Sequence, residues 1–311
     1  MPEIIRYNPS HREEWDRFVR ASRNGTFLFE RAYMDYHSDR FSDMSFLFSF
    51  KGKLQAVIPG NINGDTYYSH QGLTFGGLVM NSKVTAVQVL QIFEGLKSLL
   101  KELGVKRWVY NPVPHIYHTA PAEEDLYALF RLGAKQKGCS ISSTINKECP
   151  IRFSELRRKG IRKAMKAGVV LSKQSCLNSF WGILSHNLAY KFTTQPVHSV
   201  EEMRLLISSF PDNIFLHTVE LAGETLAGVV VYLSEKVAHV QYISASGKGK
   251  ELGALDYLFH KLIQDVYKDV DFFDFGHSTE KMGEYLNESL IFQKEGFGGR
   301  GIVYPVYELE L

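Results

Sequence analysis

A chain of 311 residues exceeds what one ordinary core supports and suits two domains of about 150 residues each. A formal net charge of +2 and a pI near 8.3 remove the global basic excess of a dedicated nucleic-acid binder, so DNA is not an expected partner and any anion site must be local. Cys139, Cys149 and Cys176 form no C-x-x-C pair and leave one over, which argues against a disulfide framework or structural zinc and for a reducing cytoplasm.

The opening MPEIIRYNPSHREEW is charged and lacks the apolar core of a secretory signal. No apolar run approaches the roughly 20 residues that span a bilayer, so no integral membrane association is expected. Ser10 to Ala21 reads as a first helix, capped by Ser10, with Trp15, Phe18 and Val19 at helical spacing and the Asn24-Gly25 turn behind it. SFLFSFKGKLQAVIPG (Ser45 to Gly60) then reads as two strands about a Gly turn. A Gly-rich bend at GLTFGG, a helix from Val87 to Leu103 and a strand from Arg107 to Tyr110 follow. NPVPHIYHTAP is a proline-punctuated loop before a helix over Ala122 to Leu132. A polar stretch from Gly138 to Pro150 reads as a linker with one strand, dividing domains 1–138 and 139–311. Beyond it Ser154 caps a helix over Glu155 to Ala167 that Gly168 ends.

The pattern then returns. FLHTVELAGETLAGVVV (Phe215 to Val231) repeats the strand–turn–strand, with Ala227 in the place of Ala56. A Gly bend at SGKGKELG, a helix from Ala254 to Tyr267 and a strand from Phe272 to Phe275 complete a second copy. The fold class this predicts is α/β (α+β): two tandem domains, each a mixed, mostly antiparallel sheet flanked by helices.

Several residues are candidates for chemistry. Asp274 lies on an aromatic strand, where a carboxylate must be paired: it can orient a base, anchor an amine or bond a buried Arg. His277 follows as a candidate base. In FQKEGFGGRG, Lys294 beside Gly296, Gly298 and Gly299 has the means to stabilise an oxyanion, and Arg300 to contact substrate. The helix from Glu155 carries Arg157, Arg158, Lys159, Arg162, Lys163 and Lys166 with few acidic residues between them. Arg158 and Arg162 are candidates to cover an anionic donor, against the commoner solvated charged face. Gly247, Gly249, Lys250 and Gly253 form a loose version of a phosphate-cradling bend. Tyr36, His37, His70, His115, Tyr117 and His118 are candidates to line an acceptor cleft. His115 and His118 have no evident third ligand, so no metal is expected. Glu123, Glu124 and Asp125 open a helix, where negative charge complements the dipole.

RRKGIRKAMKAGVVL (Arg157 to Leu171), DFFDFGHS and FQKEGFGGRG together resemble the Fem-type aminoacyltransferases, a tandem-domain branch of the GNAT (N-acetyltransferase) superfamily. FLFERAYMDYHSDRFSD, SHQGLTFGGL, PHIYHTAPAEEDLYALF and QYISASGKGKELGALD are similar to a bacterial subgroup linked with surface-polysaccharide assembly. The resemblance implies an N-acyltransferase taking an acyl or aminoacyl group from a thioester or aminoacyl ester to an amine, such as an amino sugar or a peptidoglycan or other glycan precursor. It implies acyl-CoA (acetyl-CoA) as donor, with aminoacyl-tRNA or acyl-carrier protein as alternatives, and a donor or transition-state role for Lys294. A non-catalytic binding or scaffold protein on a duplicated transferase fold is the other reading.

Overall fold

A computed structural model describes residues 2–172, 175–192 and 194–311. The chain forms two compact units: Met1–Ile141 with Thr279–Leu286 and Ile302–Leu311, and Ser142–Ser278 with Asn287–Gly301.

In the first unit, strands β1 (Glu3–Arg6), β2 (Ser42–Asp43), β3 (Phe46–Phe50), β4 (Lys53–Ile58), β5 (Asn61–Asn63), β6 (Thr66–Tyr68), β7 (Val79–Met80) and β8 (Arg107–Tyr110) are joined by helices α1 (Arg12–Arg20), α2 (Arg31–Met34), α3 (Ala86–Glu102) and α4 (Glu124–Arg131). One antiparallel sheet runs β1-β3-β4-β7; another runs β8-β6-β5-β2, with β6 and β8 parallel. Helix α3 starts at a Thr85–Gln88 capping box and lays Val89, Ile92, Phe93, Leu96 and Leu100 into the core, the stripe its 3.6-residue period dictates. The cap before α1 is Asn8 rather than Ser10: its side chain accepts from Ser10 N, and a short turn over Pro9–His11 precedes the helix.

The one strand expected within the linker is present but longer than the linker reading implies: β9 runs twelve residues (Lys135–Asn146) and crosses from the first unit into the second. The second unit continues with α5 (Glu155–Lys166), β10 (Val170–Leu171), α6 (Leu177–Phe192), α7 (Val200–Ser209), β11 (Ile214–Leu221), β12 (Glu224–Leu233), β13 (Val237–Ala245), α8 (Gly247–Leu252), α9 (Ala254–Lys261) and β14 (Phe272–His277). A hairpin of β15 (Thr279–Glu280) and β16 (Tyr285–Leu286) belongs to the first unit, α10 (Glu288–Glu295) to the second, and β17 (Arg300–Glu310) closes the chain. A single cut after residue 138 therefore misses the return of the C-terminus, where β17 pairs with β8 through Tyr307↔Tyr110 and Leu309↔Trp108. In the second unit the order is β10-β11-β12-β13-β14-β9, with only β13 and β14 parallel. No helix among the described residues is long and apolar enough to cross a membrane.

The repeat is visible residue by residue. Ala56 pairs with Phe48 and Ala227 with Val219, and in both hairpins the register shifts at the next residue, Ser49 and Glu220. Both turns have two central residues at positive φ, Lys51-Gly52 (50° and 70°) and Ala222-Gly223 (50° and 80°). That is the tight hairpin turn whose twist matches its strands, and it needs Gly at the second position.

The acidic trio does not act as a simple dipole cap. Glu124 pairs with Arg23 at 3.0 Å, and Asp125 turns inward, accepting from Tyr110 Oη at 2.6 Å and from Leu126 N at 2.8 Å. Burial pushes the Asp125 carboxyl up to about 7. That lies above its unfolded value of about 3.9, so the unfolded chain gives up this proton first and stability falls as pH rises between them. Asp125→Asn should remove this slope and be more stable than the parent at pH 7.5 but not at pH 4. Denaturant midpoints across that range measure it; an unchanged slope in the variant would place the titration elsewhere.

Candidate active site

Strands β13 and β14 pair only through Val237↔Phe272, Ala238↔Phe273 and His239↔Asp274. Two irregularities end the ladder there. The register of β13 against β12 shifts between Val230 and Val231, a bulge that bends β13. On β14, Gly276 takes φ 74°, and the next pairing, His277↔Ser142, is with β9. A side chain at Gly276 would be strained in this left-handed conformation and would press on Val240 O and the His239 ring.

Asp274 lies where the strands part and has 0% exposure. Its Oδ1 accepts from Ser142 Oγ and, at 2.8 Å, from Thr144 Oγ1; its Oδ2 accepts from His239 Nδ1 at 2.7 Å. Burial alone would raise the carboxyl, but the hydrogen bond from His239, with those of the two hydroxyls, outweighs it and holds the group ionised, well below the usual range. Of the partners open to Asp274, the structure supplies a histidine, and the ring it bonds is that of His239 rather than His277. These three partners lie on two other strands, 30 or more residues away in sequence, which is why His239, Ser142 and Thr144 escape a reading of local motifs. The retrievable signal was a lone histidine in the apolar strand VAHVQYISA.

Lys294 sits in the last turn of α10, which Asn287 caps, and is only 6% exposed. Nζ donates to Gly276 O at 2.7 Å and His277 O at 2.6 Å, so it grips the backbone of β14 just beyond Asp274. Burial lowers its pKa to about 8, against the opposing pull of the Asp274 charge. Two of the glycines after it, Gly296 and Gly298, do not offer free N–H groups as expected. Gly296 N donates to Phe292 O and Gly298 N to Glu295 O, and a Cβ on Gly298 would sit 2.3 Å from Ile151 O. Their role is close packing, while Phe297 enters the core, stacked on Phe275 at 5.7 Å. Arg300 is exposed and donates to Gly299 O. The His277 ring is pushed down to about 4, chiefly by burial, and is neutral at pH 7.

Residues 155–285 match the acetyltransferase (GNAT) domain family. The chain carries a GNAT domain. FemX superposes with a TM-score of 0.71 at 12% identity, covering 99% of this chain and 97% of that one. L-PGS from Bacillus licheniformis gives 0.62 at 12% identity, over 96% and 91%. A tandem GNAT protein from the clavulanic acid biosynthesis pathway gives 0.52 at 9% identity, over 100% and 98%. At these identities the likeness is one of fold. No curated protein sequence matches the chain.

Elsewhere in the GNAT domain the expected phosphate bend is the short helix α8. Ser246 caps it and takes the Gly249 N–H at 3.0 Å. Gly249 and Gly253 are required by packing, since a Cβ would lie 2.2 Å from Leu226 O and 2.6 Å from Gly160 O respectively. Lys250 donates to Asn187, and Gly247 faces open space. The basic helix α5 is also partly neutralised: Glu155 pairs with Arg158 and Arg162 at 2.8 and 2.7 Å, and Arg157 with Asp256 at 2.6 Å. The expectation that acidic partners are lacking fails because Glu155 serves two arginines and Asp256 comes from α9.

In the first unit the structure gathers Tyr36, His37 and His70. His37 stacks on Tyr36 at 4.3 Å and on His70 at 5.4 Å, and Nδ1 bonds Met34 O at 2.6 Å. Burial lowers both histidines, His70 to about 3, so both are neutral at pH 7. His70 holds φ 67°, a conformation sustained by the surrounding packing and by Gly72 N, which donates to its Nδ1. His115, Tyr117 and His118 serve the proline loop instead: Tyr117 packs on Phe75, His118 bonds Val113 O, and His115 is exposed.

The buried lysine yields a stability signature. Its folded value of about 8 lies below the unfolded value of about 10.4, so between them the unfolded chain binds the extra proton and stability rises with pH. Lys294→Met should lack this rise between pH 8 and 10, as read from denaturant midpoints. A parent protein with no rise would show that the ammonium is not held in a desolvated place.

Proposed function

We propose that the GNAT domain transfers an acyl or aminoacyl group from a thioester or aminoacyl ester to an amine, with an amino sugar or a peptidoglycan or other cell-surface glycan precursor as the acceptor class. The observation that carries this reading is the His239–Asp274 pair at the point where β13 and β14 part. The donor carbonyl lies in that opening. Ionised Asp274 keeps the His239 proton on Nδ1, which leaves Nε2 as the lone pair that takes a proton from the attacking nitrogen. As the C–N bond forms, the carbonyl oxygen gains charge, and the Lys294 ammonium supplies compensating positive charge from the β14 backbone. Collapse breaks the C–S or C–O bond, and the departing sulfur or oxygen recovers the proton from His239. Asp274 is a positioning residue here, and His277 acts through its carbonyl on Lys294.

Acyl-CoA remains the first donor, its arm lying along β13. The occupied Gly249 N–H withdraws one phosphate contact, which favours testing aminoacyl-tRNA and acyl-carrier protein beside it. The resemblance to Fem-type enzymes supports the aminoacyl ester. Three free cysteines suit a cytoplasmic setting.

Single-turnover transfer from acetyl-CoA, acyl-carrier protein and aminoacyl-tRNA to amino-sugar acceptors, with melting temperatures alongside, tests the reading. Lys294→Ala should slow transfer by on the order of 10² or more, as loss of one oxyanion donor does, and Lys294→Arg should restore part of it. Because the ammonium is the active form, the parent rate should fall as pH rises through about 8. That limb should move upward in Lys294→Arg. Wild-type turnover in Lys294→Ala removes Lys294 from the mechanism, and turnover with none of the donors returns the chain to a binding role.

A further inference from the structure

A cavity in the same unit, of about 680 Å³, lies at the N-terminal end of β13 and β14, between Phe215 of β11, Leu233 of β12 and the Val266–Val270 segment leading into β14. Its volume suits a small molecule. The floor is a His217–Tyr267 pair, Nε2 to Oη at 2.7 Å. Tyr267 follows the π-turn Leu262–Val266, the kind of helix irregularity that re-aims side chains at functional positions. Phe215, Leu233, Val266 and Val270 make the walls apolar.

The rim has one sign of charge. Asp212, Glu235 and Asp269 line the opening, and none of them has an ion-pair partner among the described residues. Of the neighbouring cations, Lys236 is paired with Asp271 at 3.3 Å, and Lys147 donates to Ile263 O while also feeling the Asp269 charge, which leaves Asp212 and Glu235 as the carboxylates with no cation acting on them among the described residues. Asn213 and Ser234 spend their side chains on Leu233 O and Val237 O. Burial lowers His217 to about 4, so it adds no opposing charge at pH 7. Tyr267 keeps its proton, so its hydroxyl and the neutral His217 ring share one hydrogen bond with no net charge.

We propose that this cavity binds an amphipathic primary amine: the ammonium among Asp212, Glu235 and Asp269, and an apolar body against Phe215, Leu233, Val266 and Val270. The site does not depend on the transferase reading. At about 3.3 Å per residue, strand β14 puts on the order of 20 Å between Val270 and the carbonyls that hold Lys294, so an amine here is a bound ligand and not the nitrogen being acylated.

Calorimetric titration of the full chain with phenethylamine, beside phenylacetate as its charge-reversed analogue, tests the proposal. The amine should bind saturably and the acid should not. Glu235→Gln with Asp269→Asn, both on the exposed rim, should weaken the amine by about tenfold or more and flatten its salt dependence. Val266→Trp, at a half-exposed wall position, should block it while leaving the melting temperature in place. Equal binding of the acid, undiminished binding in either variant, or no saturable binding of the amine overturns the proposal.

Discussion

An ionised carboxylate cut off from water persists only if its oxygens are filled by donors, and Asp274 fills them from three directions. Ser142 and Thr144 come from β9, and His239 from β13. The requirement ties β14 to both neighbours at one residue. Removing a single partner would leave a buried charge short of a donor, which typically costs several kcal/mol. The same bonds fix the imidazole tautomer. Structure and chemistry are therefore set by one group: the carboxylate that holds the strands together at Asp274 also decides which nitrogen of His239 faces the opening.

Lys294 completes that arrangement from the opposite direction. Its ammonium is desolvated by α10 and by the Phe297 turn, yet it is steadied by two β14 carbonyls and by the Asp274 charge across Gly276. Phe297 in the core and Gly298 against Ile151 anchor the end of α10, so the ammonium is preorganised by packing. A site built on strand and helix ends in this way keeps its geometry without loop closure.

The hairpins were legible in the sequence because their signals are local: alternation, a Gly at the second turn position, and a small Ala at Ala56 and Ala227. Helices α3 and α5 were legible through their caps and periods. What escaped was long-range. Strand β9 was read as one strand within a linker, without its extent or partner, because its pairing with β14 leaves no trace in its own polar composition, and β17 reaches β8 from almost 200 residues away. The site divided along the same line. Asp274 and Lys294 sit in short motifs, whereas His239 is defined only by the strand it faces. A search limited to neighbours in sequence settles on His277 instead, and the glycines around Lys294 and Gly249 suggest ligand contacts where packing is the cause.

The duplication also shows why the carboxylate–imidazole pair is confined to one copy. In the first unit the matching parallel ladder is Thr66↔Arg107, Tyr67↔Trp108 and Tyr68↔Val109, so the positions of His239 and Asp274 are held by Tyr68 and Val109. No carboxylate–imidazole pair can form there. The continuous strand β13 is moreover split in the first unit into β6 and β7 by the segment Ser69–Leu78, which carries His70 and Gly72. That segment bonds into the parting strands: Ser69 N to Val109 O at 3.0 Å, Asn111 N to Ser69 Oγ at 2.8 Å, and Gly76 N to Asn111 O at 2.8 Å. The space between the parting strands is thus filled, in the first unit, by the chain itself. The inserted segment there packs His70 against His37, which stacks in turn on Tyr36, so the two histidine rings lie buried where the second unit has its parting strands.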